Sequence, residues 1–113
     1  MDEKRSIKGP IFSLFQNDPR VLAVLPGFIN NLQGRIQLMK EAVDKNDWEQ
    51  LLVLSHKLKG TAGNYGYPQL SKLSGLIEEQ TVEKKLNVIM KSLCELEDLG
   101  RRILDAEVKS KLA

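Results

Sequence analysis

The chain has 113 residues, 42% hydrophobic and 28% charged, with 17 basic against 15 acidic side chains and a formal net charge of +2. That length suits one domain, 1–113, with its own core, and the small, interspersed charge gives no argument for nucleic acid. The lone Cys94 has neither a disulfide partner nor companions for a structural zinc site, no apolar run approaches the roughly 18 residues of a membrane span, and Met1 to Lys8 has no apolar stretch behind it. Cys94 therefore reads as a small core residue in a reducing compartment, and the cytoplasm is the expected location.

Apolar residues recur at three- and four-residue steps almost throughout, and alternating β-branched runs are absent, so the fold class is all-α. Residues 1–9 read as a loose polar tail, and the bundle proper as about 18–108. Ile11, Phe12, Leu14 and Phe15 form a short apolar turn suited to cap one end of a bundle. Asp18-Pro19 supplies an N-cap followed by proline at the first helical position. A stripe of Leu22, Leu25, Ile29, Leu32, Ile36, Met39 and Val43 then marks a helix to about residue 45. Pro26-Gly27 should kink it or break it in two.

Asn46 ends that helix, and Asp47 with Gln50 makes a capping box for the next, which runs to about Tyr65 and stops at Gly66. So short a connection forces antiparallel neighbours. Pro68 opens a third helix carried by Leu70, Leu73, Leu76 and Ile77 to about Gln80. Thr81 should cap the last helix, whose seam Leu86, Ile89, Leu93, Leu96, Gly100 and Ile103 reaches about residue 108. Lys109 and Lys111 suit its C-terminal dipole.

The one histidine, His56, lies in the second of these helices. At about 100° per residue, Leu51, Leu54, Ser55, Leu58, Ala62 and Tyr65 gather on the core side, and His56 falls on the other with Lys59, Gly60 and Gly63. The imidazole should face solvent, with two glycines clearing its approach although each costs roughly 1 kcal/mol in a helix interior. Lys59 stands about 60° round the helix from His56 and one turn on; Lys57, about 100° away, is the weaker neighbour. Nearby positive charge disfavours the imidazolium and attracts an anion such as a phosphoryl group. Blander readings stand beside these: the lysines as solubilising groups, Gly63 as a close-packing point, Trp48 and Tyr65 as core anchors. Val53, with Leu52 at its border, leaves apolar surface one turn before His56, as a docking face would.

The pattern His56, Leu58, Lys59, Gly60 and Gly66 resembles the histidine-containing phosphotransfer (HPt) domain of bacterial multistep phosphorelays. The likeness extends to Asn46-Asp47-Trp48 and to Leu70, Leu73 and Glu78, covering most of residues 20–105. It implies a four-helix bundle that carries phosphate on His56 and has no kinase activity of its own. Glu78, 22 residues after His56, matches a position where the family commonly has Glu or Gln facing the imidazole. Bonded to Nδ1-H, it would leave Nε2 as the nucleophile; the alternative is a solvated glutamate. Gln80 is open to either part or to none.

The resemblance further implies partners: response-regulator receiver domains and a sensor or hybrid histidine kinase. The receiver contributes the Mg²⁺, lysine and carboxylates of the transfer step, so this chain needs no cofactor and no metal. The function so implied is an intermediate phosphocarrier between receiver aspartates, monomeric, with Met1 and the polar tail leaning toward a free-standing protein. Its rival is an HPt-like module that regulates a partner by binding alone. A nucleic-acid-binding bundle fits poorly, with no basic stripe and few aromatics. Lys59-Gly60-Thr61 echoes the end of a phosphate loop but lacks the upstream glycine and lies inside a helix.

Overall fold

The computed structural model describes residues 9–112, with side chains to Lys109. The expected tail thus lies, but for Gly9, outside the described residues, as does the Lys111 side chain. Among these residues there are four helices and no strand: α1 (Pro19–Asp44), α2 (Trp48–Asn64), α3 (Pro68–Val82) and α4 (Leu86–Leu112). None is long and apolar enough to cross a membrane. Each helix packs on its neighbours in chain order, and α4 closes the ring against α1.

Most of the stripes read from the periodicity make up the core. Met39, Leu51, Ile77, Ile89 and Leu96 are fully buried, with Leu32, Ile36, Leu58, Leu70 and Ile103 nearly so. Each such side chain contributes about 1.5 to 3 kcal/mol on leaving water. Phe28 joins them, stacked on Tyr67 at 5.8 Å and edge-on to Tyr65 at 5.1 Å. Trp48 and Tyr65 are half-buried against this core, as anchors at the two ends of α2.

Both expected caps at the starts of α1 and α2 form: Asp18 Oδ1 accepts from Arg20 N–H at 2.9 Å, and Asp47 Oδ1 from Gln50 N–H at 3.1 Å. The reciprocal half of the second box does not, because Asp47 N–H already donates to the Ala42 carbonyl at 2.8 Å. That bond belongs to a closing motif used three times. Asn46, Gly66 and Lys84 take φ of 55°, 86° and 55°, and the residue after each donates back to the Ala42, Ala62 and Gln80 carbonyls respectively.

Several expectations are corrected. The break at Pro26 does not occur, and α1 runs through it unbroken. Proline forfeits only its bond to the Leu22 carbonyl, Pro26 and Leu22 are both exposed, and Phe28, Ile29 and Leu32 keep the burial in phase beyond it. Thr81 does not cap α4: it is buried within α3, its hydroxyl donating to the Ile77 carbonyl at 2.7 Å, and the turn at 83–85 separates it from α4. Leu22, Leu76 and Leu86, at the edges of their stripes, are exposed. Cys94 is exposed on α4 and is no core residue.

The N-terminal apolar turn does close one end of the bundle, though by its backbone more than its side chains. Ile11 N–H donates to the Arg102 carbonyl at 3.0 Å, Leu14 N–H to Gly66 at 2.8 Å, and Arg102 Nε to Gly9 at 2.8 Å. Ile11 packs on the core and Ser13 is buried with its hydroxyl on the Tyr65 carbonyl, while Phe12, Leu14 and Phe15 remain exposed.

Candidate functional site

The site is set by the register of α2 against α3. Lys59 carbonyl accepts from Ser71 Oγ at 2.7 Å, and His56 Nδ1 stands 2.9 Å from Glu78 Oε2. Between these two ties, Gly75 lies under the Lys59 stem. Two antiparallel helices thus present 56 and 59 of one beside 78 and 75 of the other. The core face of α2 (Leu51, Ser55, Leu58, Ala62) is buried, which turns His56 outward with its side chain 71% exposed.

A carboxylate only accepts, so in the 2.9 Å contact Nδ1–H donates to Glu78, and in the neutral tautomer this bond selects, the lone pair is on Nε2. No hydrogen bond engages Nε2 among the described residues. The other Glu78 oxygen, Oε1, lies 3.8 Å from Lys59 Nζ. Glu78 thus stands between imidazole and ammonium, which the reading of α2 alone, with lysines as the only neighbouring charges, did not include. Half-exposed contacts of that length are worth about 1 kcal/mol or less.

Gly60 is exposed, and a Cβ there would meet nothing within 4 Å. A Cβ on Gly63 would touch Ser71 Oγ at 3.4 Å, ordinary contact, so helix approach does not demand glycine at either place. Lys57 is exposed on α2, and its carbonyl accepts from Thr61 Oγ1 at 2.8 Å. Val53 is exposed and Leu52 half-buried, one turn before His56. Continuing the register of 56 beside 78 and 59 beside 75, Val82 of α3, 68% exposed, falls opposite Leu52, a position sequence reasoning missed. It also missed Ser71 and Gly75; counting back from Glu78 in helical steps of three and four would have reached both.

Gln80 is not part of the site, and its Oε1 is buried without a partner. A groove of about 1010 Å³ between α3 and α4 is lined by neither His56, Lys59 nor Glu78. Among the described residues no group of three or more His, Cys, Asp or Glu side chains is placed to hold a metal ion. The candidate site is therefore an open surface around one exposed imidazole, a shape that another macromolecule can meet face to face.

No curated protein and no solved structure matches the chain. A family model does: the Hpt domain, over residues 23–107, a span that includes both helices of the site. Hpt domains are phosphocarriers that perform histidine phosphotransfer in phosphorelays, working with receiver domains and histidine kinases. The helical bundle, the outward histidine and the family match agree, and the chain belongs to the Hpt domain family.

Proposed function

We propose that His56 is the phospho-acceptor of an intermediate carrier that takes a phosphoryl group from one receiver's aspartyl phosphate and passes it to another receiver's aspartate. The observation that carries this reading is the exposed imidazole bonded through Nδ1 to Glu78, with Nε2 unengaged. In the forward step the Nε2 lone pair forms a P–N bond as the P–O bond to the aspartyl carboxylate breaks, and that carboxylate leaves with the electron pair. The ring gains positive charge, which Glu78 balances at Nδ1-H. Holding the ring in one orientation makes the attack effectively intramolecular once a receiver docks.

Lys59 serves the phosphoryl group in this scheme. Against a dianion its ammonium gains more than against the single charge of Glu78, since interaction energy scales with charge at like distance. Gly60 and Gly63 leave the approach clear, Lys57 adds only diffuse charge, and Val53 with Leu52 forms the apolar part of the docking face. The Mg²⁺ and remaining charge come from the receiver. The chain acts as a single monomeric domain in the cytoplasm, with no cofactor and no kinase activity of its own.

The test is labelling of the full chain by each phosphorylated receiver and kinase of its source cell. Wild type should acquire an acid-labile, base-stable phosphoramidate and pass it on, and ATP alone should give none. His56→Gln should abolish labelling with a melting temperature nearly unchanged, since an exposed substitution usually costs under about 0.5 kcal/mol. Labelling that survives, or wild type that no receiver labels, would return the chain to a module that acts by binding alone.

A further inference from the structure

We propose that Gly75 is a positioning residue for the phosphotransfer site, its bare backbone being the bed along which the Lys59 side chain crosses α3. The inference rests on the phosphocarrier reading of His56 and assigns a part to a residue outside the helix that bears it. Gly75 is buried inside α3, where glycine is the least favourable residue after proline. Something must therefore require it. A Cβ built there has as its three nearest neighbours Cδ, Cε and Cγ of Lys59, at 3.3, 3.4 and 3.8 Å. No backbone atom is among them. The close approach of α2 and α3 thus does not itself ask for glycine; the lysine stem does.

The consequences run along the stem. Ser71 Oγ fixes the backbone end by its 2.7 Å bond to the Lys59 carbonyl, the methylenes lie on Gly75, and the ammonium ends 3.8 Å from Glu78 Oε1, whose other oxygen holds His56. A methyl group at 75 lifts the stem by a few tenths of an ångström near its middle and swings the ammonium away from the surface it shares with the imidazole. Lysine is flexible enough to yield, so the fold survives while the charge moves. Gly60 offers the contrast, since a Cβ there meets nothing and leaves Lys59 where it is.

The test uses the full chain and phosphoramidate, a small donor that phosphorylates imidazole without a partner protein. Phosphohistidine formation is followed by ³¹P NMR in wild type, Gly75→Ala, Lys59→Met and the double variant, with melting curves for each. Gly75→Ala should melt at or above the wild-type temperature yet acquire phosphate about two- to fivefold more slowly, the range of a half-exposed charge contact. In the Lys59→Met background the same substitution should change nothing further. Unaltered labelling of Gly75→Ala, an equal slowing in both backgrounds, or loss of the fold would each overturn the inference, the last two by making Gly75 a packing residue. Wild type unlabelled on His56 would instead remove the carrier reading beneath it.

Discussion

The α1–α4 seam and the α2–α3 flank are both made by antiparallel helices that carry glycines, yet the missing side chains do opposite work. At Gly100 a Cβ would fall 2.9 Å from Ile36 Cδ1 and 3.3 Å from Gln33 Nε2, so the space is already filled from the facing helix. Lys40 closes the same seam from outside with a 2.7 Å bond to Glu97. At Gly60 the space is empty, and at Gly75 only a lysine stem enters it. Packing explains the first glycine and fails to explain the other two. Where a costly residue has no packing reason, the chemistry of the nearest functional group is the place to look.

The strongest way to break this comparison is to overfill the seam. Gly100→Val should destabilise the protein by about 3 kcal/mol, the upper range for forcing carbons into a packed site, as read from urea unfolding. A variant as stable as wild type would mean that the seam yields as freely as the flank. The core side also carries a pH signature. Burial pushes the Tyr67 hydroxyl from 10.0 up to about 12. The unfolded chain loses that proton first, so the contribution is complete below pH 10 and is lost as pH rises through about 12, the full loss being roughly 2 to 3 kcal/mol. Tyr67→Phe should remove that share of the alkaline loss in unfolding measurements between pH 8 and 12, and an unchanged slope would deny it.

The smallest effect on stability belongs to the flank, with reversed sign. Gly60→Ala should gain up to about 1 kcal/mol from helix propensity while slowing phosphoryl transfer, because the methyl group stands in the cleared approach to His56. A gain in both would show that Gly60 guards nothing.

Helical phase made much of this legible in advance. The outward placing of His56, Lys59 and Gly60 follows from the burial of Leu51, Ser55 and Leu58, and the caps at Asp18 and Asp47 follow from their side chains. Stripe edges were less secure, since phase does not say how wide a neighbour's cover is, and Leu22, Leu76 and Leu86 fell outside it. Thr81 misled because threonine bonds equally well backward inside a helix, as it does here to Ile77. Gly75 and Ser71 were invisible for a different reason. Their significance is the register between two helices, which no single helix records.

The strap before α1 has a bearing on the order in which the molecule assembles. Its bonds join residues 93 apart at Arg102–Gly9 and 52 apart at Ser13–Tyr65, whereas His56 meets Glu78 across only 22. Closing a longer loop costs more chain entropy, if slowly, and contacts distant in sequence are the slower to form. His56 and its carboxylate belong to a local helical hairpin that the chain should gather early, and the strap, a clasp across one end of the bundle, should form later. Fraying of that clasp would expose Ile11 and Ser13 while leaving the hairpin's own closure untouched.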